Sequence, residues 1–432
     1  MELIATRNKG AEDILPSQTY IWQTVEDIAR STANTYAFEE LRFPTFEKTE
    51  LFERSVGETT DVVQKEMWTV MGRKSTYTLR PEGTAGAIRA VIQNGLLNDA
   101  MPRKLYYLIS CFRHENVQKG RLWEFHQFGA EMIGSASPAA DAEVIDFAHT
   151  LLDRLGLGDT RLCINSIGCP ECRRKYYEVL KEYLTPCRDK LCETCQSRFD
   201  KNPMRIIDCK IPGDKELVKD APVITDYLCD ECREHFETVK SLLDNMGLEY
   251  TVDPKIVRGL DYYTRTVFEF VSDSIGAQGT ICGGGRYDRL IDELCGTSVP
   301  ALGFAMGLER VILAMKEAGF DFGEKPCTDI YIGSMGDAGQ QLAMKLAKAV
   351  REDGYRAECD MCARSVKAQL KYADKTGAKY CLIIGDNEVE SKTGSLKNLR
   401  TGSQTQIALD DTFADSFLSI EMADSIAFEE EL

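Results

Sequence analysis

The feature that most constrains this chain is a pair of predicted strands that places charged residues on an otherwise apolar face. The pair lies between Leu105 and Gly134, on either side of a polar NVQKGR loop. Under the two-residue period of a β-strand, one face holds Leu105, Tyr107, Ile109, Cys111, Arg113 and Glu115 in the approach strand, and Trp123, Phe125, Gln127, Gly129 and Glu131 in the return strand.

These two faces lie on the same side of the sheet if the strands pair with Arg113 near Gln127. Glu115 and Glu131 then join them, and Gly129 leaves an open pleat where a ligand can approach. A solvated polar face is the alternative. We favour a ligand site, because charged groups among apolar neighbours are unfavourable unless they hold something.

Length and hydropathy indicate two or three domains in a chain without a membrane span. The 432 residues contain no apolar run of the roughly 18 residues that a membrane helix needs. The first residues, MELIATRNKGAEDILP, lack the apolar core of a signal peptide. We therefore expect a cytoplasmic protein with no membrane partner.

The net charge of −17 argues against a nucleic-acid partner, but its distribution weakens the argument. Eight acidic residues and no basic residue follow Arg400. A local basic groove elsewhere is compatible with that pattern. The acidic tail itself is expected to be a solvated or disordered end.

Changes in periodicity divide the chain into four segments. Residues 1–168 and 236–325 contain mixed strand and helix signals and form the two parts of one core, separated by a cysteine-rich insertion at 169–235. Residues 326–432 alternate as β-α-β-α-β, which predicts a small α/β domain with a largely parallel sheet, followed by the acidic tail.

Three arginines occupy positions that suit phosphate binding. Arg113 lies in the hairpin, Arg258 stands in VRGLDYY, and Arg310 lies where LERVIL begins its helix. The planar guanidinium bonds two oxygens at once and keeps its charge. The chain has no G-x-x-x-x-G-K-[ST] loop. The segment GGGRYD, Gly283 to Asp288, is predicted to be a glycine loop, but such a run is only weak evidence for a phosphate-binding loop.

Several segments resemble class II aminoacyl-tRNA synthetases. FRHE at Phe112 with its return strand is similar to motif 2, GFAMGLER (Gly303 to Arg310) to motif 3, and the region around Pro44 to motif 1. RGLDYYTRTVFEF and GGGRYD resemble the two signature segments of the histidyl-tRNA synthetase family. TLRPEGTAG and KGAEDILP are similar to the same family, with Ala11 where threonine is more usual.

The resemblance implies a multidomain α/β and α+β fold. It has a class II antiparallel-sheet catalytic core with an inserted subdomain, and a C-terminal α/β anticodon-binding domain with a largely parallel sheet. It implies a homodimer that uses ATP with Mg²⁺ to join L-histidine to tRNA-His. The insertion would reach the acceptor arm of the tRNA.

The resemblance also implies roles for single residues around ATP. Arg113 would hold the α-phosphate and Arg310 the γ-phosphate, and Arg121 would also bind ATP. Glu115 would lie by the adenine or the acceptor end of the tRNA. Arg258 would be the catalytic arginine that stabilises charge at the α-phosphorus as the carboxylate attacks.

For histidine, the resemblance implies a second group of residues. Glu82 would receive the ammonium, and Thr84 and Gln127 would place the carboxylate and amino groups. The imidazole pocket and its surroundings would be formed by Glu131, Tyr262, Tyr263, Tyr287 and Arg258. A buried acceptor for the imidazole N–H would reject amino acids that lack it. Ordinary strand packing is the alternative for the tyrosine pair.

Two other functions are weighed against the ligase. A non-catalytic paralogue that binds histidine as a regulatory subunit would have little reason to keep three arginines and an anticodon-type domain. A synthetase for another amino acid is disfavoured by the RGLDYYTRTVFEF segment.

The cysteines raise the question of a metal. Nine of the sixteen lie between Cys163 and Cys232, and the chain lacks a secretory signal, so disulfides are not expected. Two C-x₂-C pairs predict a structural zinc site formed by Cys169, Cys172, Cys192 and Cys195. Cys187, Cys209, Cys229 and Cys232 offer further ligands. Free thiols and an iron–sulfur cluster remain as alternatives.

Overall fold

A computed structural model of the chain describes residues 6–57, 60–272 and 279–429. The chain divides into two compact units, the first ending at Phe322 and the second beginning at Gly323. The subdivision of the first unit stays a prediction. Its expected boundary at His235 falls inside a helix, Asp230–Asn245. Among the described residues, none of the helices is both long and apolar enough to cross a bilayer.

The first unit contains both strands and helices. The strands are β1 (Glu39–Glu40), β2 (Phe46–Lys48), β3 (Thr69–Met71), β4 (Thr76–Leu79), β5 (Arg103–Phe112), β6 (Glu124–Ile133), β7 (Arg161–Ser166), β8 (Thr251–Val252), β9 (Thr264–Val271), β10 (Thr280–Arg286) and β11 (Ala301–Gly307). The helices are α1 (Thr19–Thr35), α2 (Thr49–Val56), α3 (Thr84–Gln93), α4 (Pro138–Arg154), α5 (Pro170–Leu184), α6 (Glu193–Lys201), α7 (Met204–Ile207), α8 (Pro212–Leu217), α9 (Asp230–Asn245), α10 (Leu290–Cys295) and α11 (Leu308–Glu317).

Eight of these strands form one sheet in the order β1-β5-β6-β11-β10-β9-β7-β8. Its central pairs are antiparallel, and only the outer pairs, β1 with β5 and β7 with β8, are parallel. A separate antiparallel sheet has the order β2-β4-β3. The antiparallel core predicted from the sequence is therefore present.

One face of the large sheet packs against helices. Phe128, Phe268 and Phe304 point from it into a core that α4 completes with Phe147, and all four side chains are buried. Helix α4 begins where Ser137 accepts a hydrogen bond from the Ala139 N–H at 3.2 Å. Because strand side chains alternate, residues one position along from these phenylalanines point to the opposite face, where the candidate site lies.

The register of the β5–β6 hairpin differs from the prediction by four residues. Gln127 pairs with Ile109 rather than lying near Arg113, whose N–H donates to the Trp123 carbonyl at 2.8 Å. A shift by an even number of residues leaves every side chain on its predicted face. The prediction that the charged residues of the β5–β6 hairpin share one face is therefore correct, although the predicted register is wrong.

The pleat at Gly129 is not open to a ligand as predicted. A Cβ added there would lie 2.3 Å from the Tyr107 ring, as would one added at Gly83. The absence of a Cβ at both glycines leaves room for the buried ring of Tyr107, which lies in β5 directly opposite Gly129. Gly129 thus serves the packing of Tyr107.

The glycine run predicted as a loop lies within strand β10. Gly283, Gly284 and Gly285 pair with β9 on one side and with β11 on the other. A Cβ at Gly284 would lie 2.2 Å from the Gly303 carbonyl oxygen. Glycine is used here for close approach inside a sheet, which composition alone does not distinguish from a turn.

The second unit has its own core and a mixed sheet. Its elements are β12 (Ile330–Ser334), α12 (Gly336–Glu352), β13 (Ala357–Cys359), α13 (Val366–Thr376), β14 (Tyr380–Ile384), α14 (Asp386–Ser391), β15 (Thr393–Asn398), β16 (Gln404–Ala408) and α15 (Phe413–Glu429). The sheet order is β13-β12-β14-β15-β16. The first three strands are parallel, as predicted, and β15 and β16 add an antiparallel hairpin that the sequence pattern did not reveal.

The acidic tail is not the solvated or disordered end that the sequence predicts, as far as residue 429. Helix α15 buries Phe413 and Phe417 completely. Its Asp424 accepts hydrogen bonds from the Tyr380 hydroxyl at 2.6 Å and the Asn398 amide at 2.8 Å. The aromatic residues between the acids supply the buried face that a net-charge argument overlooks. Residues 430–432 lie outside the described part of the chain.

Candidate active site

A cleft of about 410 Å³ opens over the second face of the large sheet. Eleven of the twelve residues predicted for ATP and histidine line it, namely Glu82, Thr84, Arg113, Glu115, Arg121, Gln127, Arg258, Tyr262, Tyr263, Tyr287 and Arg310. The twelfth, Glu131, is 1% exposed and lies beneath the cleft. Segments separated by more than two hundred positions thus meet at one place.

One part of the cleft is rich in guanidinium groups. Arg113 lies just beyond β5, where its Nε donates to the Pro81 carbonyl at 2.8 Å and its guanidinium covers the Phe125 ring. Arg121 pairs with Glu115 at 2.9 Å. Arg310, in the first turn of α11, donates to the Thr280 carbonyl at 3.0 Å. Backbone carbonyls and one carboxylate therefore hold three cations side by side.

Arg258 lies between β8 and β9 in a left-handed backbone conformation, with φ of 53°. Its Nη1 pairs with Glu269 at 2.5 Å, and its guanidinium lies 5.6 Å from the centre of the Tyr263 ring. Among the described residues, its buried Nε has no hydrogen-bond partner. A non-glycine residue in this region of φ is strained, and such strain is concentrated at functional sites.

The other part of the cleft is aromatic. Tyr262, Tyr263 and Tyr287 pack around one another, with ring centres 4.8 to 6.5 Å apart. Beneath them Glu131 accepts hydrogen bonds from the Tyr107 hydroxyl at 2.8 Å and from the Tyr287 hydroxyl. Burial raises the pKa of the Glu131 carboxyl to about 8, although hydrogen bonds from Tyr287, Thr84 and Tyr107 oppose the rise.

Glu82 and Gln127 have structural partners of their own. Both carboxylate oxygens of Glu82 accept backbone N–H bonds, from Thr84 and Ala85, each at 2.8 Å. Glu82 therefore caps helix α3, which begins at Thr84 as predicted, and burial raises its pKa. The Cys111 thiol donates to Gln127 Oε1 at 3.2 Å, which leaves the amide N–H₂ of Gln127 for a ligand.

Sequence reasoning missed two residues that hold Arg258. Glu269 supplies its ion pair, and Arg205, from the cysteine-rich insertion, donates to the Arg258 carbonyl and lines the cleft. Glu269 belongs to the RGLDYYTRTVFEF segment. Strand alternation alone does not place it beside Arg258, because that requires the register between β9 and β10. No pattern in the insertion distinguishes Arg205 from its other arginines.

The four cysteines predicted as one metal site do not lie together. Cys169 and Cys172 group with Cys229 and Cys232, whereas Cys192 and Cys195 group with Cys209 and Asp214. Within each group the candidate ligand atoms lie within 4.8 Å of one another. The two members of each C-x₂-C pair lie in the same group, but spacing along the chain could not tell which other ligands each pair would meet.

The fold and the cleft define a class II aminoacyl-tRNA synthetase, with the arginine-bearing hairpin β5–β6 beside the strand–helix unit β11–α11. A family profile for histidyl-tRNA synthetase matches residues 10–311, and one for an anticodon binding domain matches residues 329–415. The chain belongs to the histidyl-tRNA synthetase family.

Individual relatives agree with the family profile. The histidine–tRNA ligase of Acetivibrio thermocellus is 51% identical over 93% of this chain and 97% of its own length. That of Caldanaerobacter subterraneus subsp. tengcongensis is 50% identical, with the same coverage of both chains. The crystal structure of apo histidyl-tRNA synthetase from S. aureus is 37% identical, with a TM-score of 0.81 over 96% of this chain and 100% of that one.

These findings confirm the predicted family, the class II core and the C-terminal anticodon-binding fold. They also confirm the prediction of a histidine-specific ligase over that of a non-catalytic regulatory paralogue. A synthetase domain and an anticodon-binding domain are both matched, and the relatives are aligned over nearly their whole length.

Proposed function

We propose that this protein activates L-histidine with ATP and transfers it to the 3′-terminal adenosine of tRNA-His in the cytoplasm. The observation that carries the proposal is the convergence of eleven predicted residues on one cleft, with guanidinium groups in one part and three tyrosines in another. Such a division suits a substrate pair in which one member is a polyanion and the other an amino acid with a flat ring.

On the ATP side, Arg113 binds the α-phosphate and Arg310 the γ-phosphate. Arg121 and Glu115 are held to each other at 2.9 Å, so they offer a paired donor and acceptor for the adenosine portion or the tRNA end. Mg²⁺ accompanies ATP and spreads the charge of the triphosphate. Glu115 and Glu309, which line the same cleft, offer the oxygen ligands that this ion prefers.

On the histidine side, Glu82 receives the ammonium while Thr84 and Gln127 orient the amino and carboxylate groups. Tyr262 and Tyr263 enclose the imidazole. Glu131 accepts a hydrogen bond from the Tyr287 hydroxyl and so acts through Tyr287. We therefore assign Glu131 a role in positioning the pocket rather than in direct contact with histidine. The N–H of the imidazole then meets a hydroxyl whose orientation a buried carboxyl determines.

The first chemical step forms a bond between a histidine carboxylate oxygen and the α-phosphorus, and breaks the bond from that phosphorus to the bridging oxygen of pyrophosphate. Arg258 donates to the oxygens on which charge increases as the new bond forms. Its ion pair with Glu269 fixes its direction beforehand. In the second step a ribose hydroxyl of the terminal adenosine attacks the histidyl carbonyl carbon. The bond from that carbon to the phosphate oxygen breaks, and AMP leaves as its phosphate takes up the hydroxyl proton.

Beyond the cleft, we propose that residues 326–432 bind the anticodon and that the insertion at 169–235 contacts the acceptor arm of tRNA-His. Structural zinc in that insertion is also part of the proposal. The protein would act as a homodimer. The small β2-β4-β3 sheet supports this, since it leaves Phe46, Val70 and Tyr77 exposed beside one another.

Amino-acid-dependent exchange of labelled pyrophosphate into ATP tests the proposed specificity. We expect exchange with histidine alone among the standard amino acids, followed by transfer to tRNA-His but not to other tRNAs. Exchange with a different amino acid would overturn the specificity, and exchange with none would overturn the enzymatic proposal. Sedimentation equilibrium of the full chain decides between monomer and dimer.

A further inference from the structure

The cysteine-rich insertion contains a group of four sulfur atoms where it leaves and rejoins the catalytic core. We call this group, formed by Cys169, Cys172, Cys229 and Cys232, the neck cluster. Its Sγ atoms lie within 4.8 Å of one another, and those of Cys169 and Cys172 are 3.5 Å apart. In a tetrahedral zinc–thiolate site, with bonds of about 2.3 Å, neighbouring sulfurs are about 3.8 Å apart.

The backbone of the neck cluster suits thiolate ligands. Cys169 and Cys229 each occupy the N-cap of a helix, α5 and α9, and their partners Cys172 and Cys232 lie one turn further on. The Cys229 N–H donates to Cys172 Sγ at 3.1 Å, which joins the two halves. Helix N-termini and amide donors favour the deprotonated thiol that a metal requires.

A second group lies further into the insertion. This tip cluster consists of Cys192, Cys195, Cys209 and Asp214. Cys192 is the N-cap of α6, and its Sγ accepts the Cys195 N–H at 3.4 Å. Asp214 accepts the Cys192 N–H at 3.0 Å and the Cys209 thiol at 3.2 Å.

Asp214 supplies an independent reason to expect a cation at the tip. The residue is only 2% exposed, and within the described ranges it forms no ion pair with lysine, arginine or histidine. A buried carboxylate without a compensating positive charge is strongly unfavourable. A divalent cation bound by three thiolates and this carboxylate would complete a four-ligand site.

We propose that the insertion binds two zinc ions, one in a Cys₄ site at the neck cluster and one in a Cys₃Asp site at the tip cluster. Binding replaces the thiol protons, which pass to solvent. The proposal deepens the proposed function by naming the ions, their number and their ligands, and it does not depend on which amino acid is activated.

The two ions would fix the part of the insertion that meets the catalytic cleft. The elements that carry the tip ligands, α6 to α8, also carry Arg205, which holds the Arg258 carbonyl, and Asn202, whose side-chain amide donates to Asp261 at 2.9 Å. The neck ligands lie where the chain enters α5 and α9. Zinc at both places would therefore stabilise a segment too small for a large core and keep Arg205 in position.

Cysteine content alone does not create such a site in this chain. Cys187 lies in the same insertion, yet its thiol donates to the Leu184 carbonyl at 3.3 Å and belongs to neither cluster. Cys359 and Cys362 repeat the C-x₂-C spacing in the second unit, but among the described residues they are in no candidate metal group. These cysteines provide matched controls.

Elemental analysis of the purified full-length enzyme tests the proposal without any activity measurement. We expect two zinc ions per chain. Cys172→Ser should retain only the tip ion, and Cys195→Ser or Asp214→Asn only the neck ion. Cys187→Ser and Cys362→Ser should retain both. If the unaltered enzyme held only one zinc ion, and every one of the ligand variants lost it, the division into two sites would be overturned. Iron in place of zinc would overturn the choice of metal.

A second measurement on the unaltered enzyme keeps the test valid if a variant fails to fold. Thiol-modifying mercurial, added stepwise in the presence of a chromogenic zinc chelator, should release two zinc ions per chain. Release of none, with every thiol reactive in the folded enzyme, would overturn the proposal. An enzyme that contains no zinc but still catalyses histidine-dependent exchange would overturn the two-zinc proposal and leave the proposed ligase activity standing. Failure of the zinc proposal is therefore distinguishable from failure of the proposed activity.

Discussion

Arg258 is the residue on which most of the site's constraints meet. Its backbone is strained, its guanidinium is directed by Glu269 and Tyr263, and its carbonyl is held by Arg205. Each contact restricts the side chain before any substrate is bound. An arginine fixed in advance stabilises developing charge without first having to reorganise.

Replacing Arg258 by alanine should therefore slow chemistry more than it weakens binding. We expect adenylate formation to fall roughly 10²- to 10³-fold while the dissociation constant of histidine changes little. Single-turnover adenylate formation and equilibrium histidine binding measure the two effects. Arg174→Ala, on the exposed side of α5, is the control. Equal losses in rate and affinity would contradict the assignment.

Glu131 should make stability depend on pH in an unusual direction. The folded chain keeps a proton on this carboxyl up to a pKa of about 8, whereas an unfolded chain releases it near the ordinary value of about 4.3. Between these values the folded state binds more protons, so the free energy of unfolding falls as pH rises. Glu131→Gln should lose this part of the dependence.

Thermal unfolding of both proteins at about pH 5.5 and about pH 7.5 checks this expectation. The unfolding temperature of the unaltered protein should fall more between the two conditions than that of Glu131→Gln. Glu178→Gln, at an exposed position of α5, should behave like the unaltered protein. Identical slopes for all three would show that Glu131 does not titrate in this range.

Among the elements, strand β10 shows how backbone composition serves the site. A Cβ at Gly283 would lie 2.3 Å from Arg258 Nη1, so glycine makes room for the guanidinium. Gly283→Ala should displace that group and reduce adenylate formation by about 10² fold, because small misplacements of catalytic groups are costly. Rapid-quench kinetics measures it. Gly213→Ala, where nothing lies within 4 Å, should be neutral, and an equally active Gly283→Ala would refute the argument.

The insertion helices are the second element-scale contributor. Arg205→Ala removes the side chain that holds the Arg258 carbonyl, so we expect a tenfold to hundredfold lower rate of adenylate formation, roughly, with little change in histidine affinity. Arg205→Lys should recover part of the rate by restoring a donor. If Arg205→Ala instead weakened histidine binding alone, the residue would belong to the amino-acid pocket.

The success of sequence reasoning followed what periodicity can and cannot determine. Strand alternation placed Arg113, Gln127 and Glu131 on one face correctly, because the face depends only on whether the register is odd or even. It could not set the register itself, nor separate a glycine strand from a glycine loop at Gly283. Partners distant in sequence, such as Arg205 for Arg258, carry no local signal at all.

For the whole molecule, the division into two units with separate cores predicts separable activities. The second unit buries its own set of apolar residues, including Phe413 and Phe417. A chain ending at Phe322 should still form histidyl-adenylate at a rate near that of the full chain, but should transfer histidine to tRNA-His at least about tenfold more slowly, since interface contacts to the tRNA are lost. Pyrophosphate-exchange and aminoacylation assays on the full chain and the shortened chain measure the two activities. Equal transfer by both chains would show that the C-terminal unit does not contribute to tRNA binding.

The large sheet has unusually small strands at its margins, β1 and β8, of two residues each. Beyond the short β1, Arg80 covers the edge of β5. Its Nε donates to the Ser110 carbonyl at 2.6 Å, and its carbonyl accepts a hydrogen bond from the Phe112 N–H at 2.9 Å. A long unpaired edge invites strand addition by another chain and leads to aggregation. The buried Arg80 thus occupies the edge of the same strand that leads to Arg113, where it leaves fewer backbone groups for a strand of another chain to pair with.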